Sequence, residues 1–392
     1  MPPAAQGVSA SEISAERFAT DATRPWTLPA RVAFRFFVLY LGIYVLLTQM
    51  FTSLVLVTTN DSGAFELDVT RPAKAIVVWL AAHVFRIGHP IVTFETGSGD
   101  RIYDWIVLVV ILVSAILATI VWCILDRKRE NYVKLHSWFR VFVRFSLAAT
   151  MLVYGASKIL PLQMPFPDLR RMIEPFGNFS PMGVLWTFIG ASPAYEFFVG
   201  CAEALGGLLL FSSRTTTLGA LVCLADGIQV FLLNMTYDTP VKLLSFHLIV
   251  FSLFLLAPDA RRLANVFLLN RPAPPSSEAP LFRSVRANRI ALAVQILVAL
   301  YLVVGNAYNA ISEYGSPFGS GAPKSPLYGI WNVEDFALDG QSRPPLLTDA
   351  LRWHRLVFDY PQFMSIYAMD DTARVYRISF DKSAATFELT SG

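Results

Sequence analysis

An all-α polytopic membrane protein carrying a small C-terminal antiparallel β domain is the fold class this sequence predicts, and three observations predict it. The chain is 54% hydrophobic and 16% charged, where soluble domains carry about 25% charged residues. Several apolar runs reach the ~20 residues that a bilayer core demands. After the last run the composition changes to Gly, Ser and Pro, then to short β-prone segments.

Residues 1–30 are polar and rich in Pro, Ala and Ser, the composition of a disordered tail. The first apolar run, 32–58, is too long for a cleaved leader and reads as a span. Further spans are expected at 104–125, 138–160, 193–212, 216–235, 241–258 and 289–308. The stretch AKAIVVWLAAHVFRIGHP (73–90) differs. Its uninterrupted apolar core is about ten residues, which suits an interfacial or re-entrant helix.

Charge tests this count independently. Arg31, Arg127, Lys128, Arg129, Lys134, Arg214, Arg261, Arg262 and Arg271 fall on one side of a seven-span chain, as the positive-inside rule requires. An eighth span at 73–90 would split them. The N-terminus is then cytoplasmic and the C-terminus extracytoplasmic, which is periplasmic in a bacterial inner membrane. Four regions follow the N-terminal spans of 31–136: a four-helix module at 137–262, a basic loop with the last span at 263–308, a linker at 309–326, and a β domain at 327–392.

Composition also excludes. A net charge of +3 gives no footprint for nucleic acid. Cys123, Cys201 and Cys223 lie in apolar runs without a CxxC, so neither a disulfide relay nor a thiolate metal site is expected. GxGxxG, Walker A, HExxH and GxSxG are absent from the sequence. His83 and His89 read as interfacial packing. Asn60, Asn178 and Asn234 open glycosylation-type triplets, which matter only in a eukaryotic host.

Ionisable side chains inside a bilayer cost about 2.5–3.5 kcal/mol each on insertion scales, so those retained there are candidates for function. In the fourth span Glu196, Gly200, Glu203 and Gly207 are spaced four, three and four apart, one stripe of carboxylates and small residues. In the third, Arg144, Ala148, Met151, Gly155 and Lys158 repeat the device. The fifth adds Asp226 and Asn234, and the turn into the sixth adds Asp238, Lys242 and His247. Each has a structural alternative: a helix-dipole role for Glu196, snorkelling for Lys158, a local i,i+4 ion pair between Asp238 and Lys242, and a satisfied core histidine at His247. Lys158, Glu196, Glu203, Asn234, Asp238, Lys242 and His247 share the outer half of four consecutive spans, with Asp226 near mid-span. That common depth favours an outward-opening polar pocket, with 161–192 as a lid. Lys158, Glu203 and His247 are the candidate proton-exchanging groups. Glu196, Asp226, Asn234, Asp238 and Lys242 are the candidate ligand-binding groups.

GASKIL, AEALGGLLL, SSRTTTLG and NMTYDTPVK, in this order within 137–262, resemble the DoxX-like membrane proteins. That family includes subunits of thiosulfate:quinone oxidoreductase and components of redox-stress complexes, with cargo receptors and the membrane part of the vitamin K-dependent carboxylase as distant relatives. The resemblance implies a quinone or lipid-like ligand, and it matches the family's polar positions at Lys158, Glu203, Asn234, Asp238 and Lys242. The flanks, 1–136 and 263–392, depart from the minimal module. Gly329, Ile330 and Trp331 resemble the opening Gly-x-Trp of lipocalin-like domains, although about five strands are too few for a barrel that needs about eight. Two function classes stay open. One is an oxidoreductase subunit using quinone. The other is a non-catalytic lipid- or cargo-binding, transport or assembly protein whose β domain recruits a protein partner.

Overall fold

A computed structural model describes residues 25–56, 70–94, 96–273, 280–316, 319–381 and 386–391. Most of the expected N-terminal tail, including Arg17 and Arg24, lies outside the described residues, as do the end of the first expected span and Asn60. The helices are α1 (Leu28–Leu47), α2 (Gln49–Val55), α3 (Thr70–His83), α4 (Ile102–Leu125), α5 (Val133–Ile159), α6 (Leu169–Ile173), α7 (Pro181–Gly190), α8 (Pro193–Leu210), α9 (Thr216–Thr236), α10 (Lys242–Leu256), α11 (Ala260–Phe267) and α12 (Val285–Tyr314). Among the described residues seven helical segments are long and apolar enough to cross a membrane: α1, α4, α5, α8, α9, α10 continued into α11, and α12. The expected count of seven stands on length and composition.

The first span differs from expectation. Thr48 adopts an extended conformation that ends α1 and starts α2. Its hydroxyl donates to the Tyr44 carbonyl at 2.8 Å, supplying the acceptor's missing partner at the break. The segment 73–90 forms α3, whose 14 residues rise about 21 Å. Val77 and Ala81 face the core while Trp79 and Val78 are exposed.

The chain divides into two compact units. The first, up to Ala156 and then Gly200–Tyr308, is the helix bundle. At its centre lies α5, 72% buried over its apolar window, whereas α12 is 11% buried. Small residues set the close crossings. A Cβ on Gly155 would stand 2.8 Å from the Ala204 nitrogen and 2.9 Å from the Gly200 carbonyl, and one on Gly207 would stand 3.0 Å from the Ala148 carbonyl. The two predicted stripes therefore meet backbone to backbone, the arrangement that small residues permit between membrane helices. Farther along the same pair, the Arg144 guanidinium donates to the Leu210 and Phe211 carbonyls at 2.8 and 2.7 Å. It supplies the donors that the C-terminus of α8 lacks. On the other flank, α9 and α10 pack antiparallel along their length.

The second unit, Ser157–Val199 with Asn309–Gly392, holds α6, α7 and the β structure. Strands β1 (Gly329–Asn332), β4 (Trp353–Phe358), β5 (Phe363–Ala368), β6 (Ala373–Asp381) and β7 (Thr386–Ser391) form an antiparallel sheet in that order. A separate hairpin pairs β2 (Ala337–Leu338) with β3 (Gln341–Ser342). Phe358, Met364, Ile366 and Ile378 make the sheet's core. The sheet is open, with β1 and β7 as its edges. Buried Arg352 ties the preceding loop together by donating to the carbonyls of Arg343, Glu334 and Trp353.

Candidate functional site

In the helix bundle, Glu203 on α8 is buried at 3% exposure. It sits within electrostatic reach of the Tyr154 phenol on α5. The Tyr154 hydroxyl donates to the Gln49 side-chain carbonyl at 3.3 Å, at the long limit for such a bond. Three elements, α2, α5 and α8, thus bring an amide, a phenol and a carboxylate together, with Glu203 buried, Tyr154 half-buried and Gln49 exposed at the bundle's side. The close α5–α8 approach at Gly155 fixes Tyr154 and Glu203 on facing turns.

His247 is fully buried. Its Nδ1 lies 2.6 Å from the Leu243 carbonyl, which can only accept, so Nδ1 carries the proton. Nε2 then accepts from the Tyr40 hydroxyl at 2.8 Å. Tyr44 stacks on the imidazole with ring centroids 3.7 Å apart. Sequence reasoning passed over Tyr40 and Tyr44 because nothing in α1 signals which helix its tyrosines face.

Asn234 donates to the Ser245 hydroxyl at 3.1 Å and to the Val241 carbonyl at 3.3 Å, which fastens the turn between α9 and α10. Lys242 and Asp238 form the i,i+4 pair at 2.7 Å, with the Asp238 carboxylate 83% exposed. Pro240 lies ahead of α10, but the first turn of that helix is held by Asp100. One Asp100 oxygen accepts from the Lys242 amide at 2.7 Å and the other from the Leu243 amide at 3.0 Å. The Lys242 ammonium is 3.9 Å from the same carboxylate. Asp100 was missed because a helix N-terminus capped from a distant loop leaves no local spacing to read. Asp226 is buried on α9 one turn from Cys223. Its neighbour Gly227 packs against Ile249 and Leu248 of α10.

In the second unit Glu196 is fully buried and accepts from the Met164 amide at 3.1 Å. Lys158, 5% exposed, is an electrostatic neighbour of that carboxylate. The expected loop 161–192 contains α6 and α7. Ser180 caps α7 by accepting from the Gly183 amide, and Pro181 takes the first helical position. Gly190 lets α7 end against the Met164 and Pro165 carbonyls. The Asp168 carboxylate caps α6 and the Asp359 carboxylate accepts from the Leu169 amide at 2.9 Å, tying α6 to the residue after β4. Burial raises the Asp359 carboxyl above the usual carboxylate range, while the Leu169 amide pulls it the other way.

No group of three or more His, Cys, Asp or Glu suited to a metal occurs among the described residues. No protein-family model and no solved structure matches the chain. A stretch of 129 residues, 33% of this chain, is 34% identical to "uncharacterized protein YwoB" of Bacillus subtilis (strain 168) and covers 79% of it. Identity at that level over most of that protein's length makes this chain a member of the YwoB family.

Proposed function

We propose that this chain is a DoxX-like integral membrane protein that binds a quinone, or a lipid-like molecule of the same shape, beside Glu203. The observation that carries the reading is the buried Glu203 with Tyr154 and Gln49 around it. A quinone carbonyl accepts from a phenol hydroxyl, and a buried carboxylate can pass the protons that accompany reduction. Reduction to the quinol takes two electrons and two protons, so an electron-donating partner is part of this reading. Extraction of the purified protein tests it. Quinone co-purifies with the wild type, Tyr154→Phe lowers its retention by about two- to ten-fold, the size expected when a neutral hydrogen bond is lost, and Glu203→Gln slows quinone-dependent turnover. Wild-type protein that holds no quinone and shows no quinone-dependent turnover would sink the reading.

A second reading, a non-catalytic binding or assembly protein, is favoured by the structural bonds of Asn234, Lys242 and His247. There the β domain recruits a partner, and deletion of 327–392 removes that partner in a pull-down. Unchanged partners after the deletion count against it. In both readings the basic turns are cytoplasmic and the sheet is extracytoplasmic. Reporter fusions after Leu269 and at the C-terminus should report opposite sides.

A further inference from the structure

The segment after α10 is amphipathic. The helix α11 has Leu263 against the bundle core, with Val266 and Phe267 exposed on the same side, and past its end Leu268 and Leu269 are exposed as well, Leu268 at 81%. On its other face stand Arg261, Asn265 and Arg262. The chain then folds back. Asn270 takes a left-handed backbone, the Arg271 amide donates to the Asn265 carbonyl at 2.8 Å, and the Asn265 side chain donates to the Pro272 carbonyl. That turn returns the Arg271 backbone beside Asn265, which brings a third arginine to this end of the helix that linear spacing would not place there. Arg262 is held by Asp259 at 2.7 Å, and Asp259 also accepts from Thr217 at 2.7 Å, which anchors the start of the helix to α9. Arg261 is exposed on the same face.

We infer that Ala260–Arg271 is an in-plane anchor that binds anionic phospholipid headgroups at the membrane surface. Three observations commit it to lipid. An apolar crest opposite a cationic face is the pattern of an interfacial helix. The 15 residues of α10 and the three-residue turn Ala257–Asp259 already approach the length of a span, which leaves α11 at the end of the apolar run rather than within it. Guanidinium forks complement phosphate oxygens in charge and geometry.

The test uses the full chain in a neutral detergent, titrated with phosphatidylglycerol or phosphatidylcholine, with bound lipids counted by native mass spectrometry. The wild type prefers phosphatidylglycerol. Arg261→Gln with Arg271→Gln weakens that binding about thirty-fold, since each basic residue near an anionic surface contributes about a factor of five. Arg261→Lys with Arg271→Lys retains most of it, and Phe267→Ser with Leu268→Ser weakens both lipids alike. Equal affinity for the two lipids, an unchanged preference in the glutamine variant, displacement by excess inorganic phosphate, or self-association through the crest would each overturn the inference. Quinone retention is read separately, so failure at Glu203 and failure here are distinguishable.

Discussion

Replacing Asp100 with alanine removes two hydrogen bonds from the first turn of α10 and the carboxylate that faces the Lys242 ammonium. Loss of a capping side chain costs about 0.5–2 kcal/mol, and two caps from one carboxylate place Asp100→Ala near the upper end. Asp100→Asn keeps one acceptor and should fall between that variant and the wild type. Melting followed by tryptophan fluorescence in detergent checks the order, and an alanine variant that melts with the wild type refutes the capping role. Asp359 gives a pH-dependent counterpart. Its raised carboxyl means that the folded state holds its proton more tightly than the unfolded chain. Its contribution to stability is therefore complete below the ordinary value of 3.8 and is lost as pH rises through the higher folded value. Asp359→Asn keeps the acceptor for Leu169 and should flatten this dependence. Hydrogen exchange at the Leu169 amide, measured across mildly acidic pH, reads it.

At the scale of elements, the crossing of α5 with α8 makes a sharper prediction. A methyl group on Gly155 meets backbone atoms, which cannot swing aside, whereas one on Gly42 meets only a Phe139 ring atom at 3.9 Å. Gly155→Ala should destabilise by about 1–3 kcal/mol. Gly42→Ala should be neutral or stabilising by up to about 1 kcal/mol, because it also removes a glycine from a helix interior. Equal melting temperatures for the two variants would contradict the close approach. The glycine-bearing stripes of both helices were legible in the sequence, because a 4-3-4 spacing such as Glu196, Gly200, Glu203 and Gly207 is a helix-face signal that depends on nothing distant. The seven apolar helices were legible for the same reason. The partners of His247, the Asp100 cap and the Tyr154–Gln49 contact were not, since each joins residues far apart in sequence. The helix α7 was passed over although Ser180 and Pro181 carry a start signal, because a ten-residue helix in a polar-flanked segment resembles a loop. The short β-prone segments expected after the linker correspond to the strands of the C-terminal sheet.

Over the whole bundle, burial ranks the helices by role. The central α5 carries the crossings, while α12 touches the bundle along a narrow line. Leu302 on α12 is fully buried among Phe145, Ala149 and Leu152, and the Tyr301 hydroxyl donates to the Val55 carbonyl. Leu302→Ala should cost about 2 kcal/mol, the low end for a buried leucine, because lipid replaces water as the competing solvent and packing alone is lost. Leu297, 65% exposed, should tolerate alanine with no measurable change. Comparable losses at both positions would show that α12 is covered on its outer side as well.

Arg144 and Gly155 are eleven residues apart on α5, or about 16 Å of rise, and each is fastened to α8 at its own level. Two helices pinned at two heights behave as one strut: they can neither scissor nor ratchet past each other. A rearrangement along this pair therefore has to release both fastenings together.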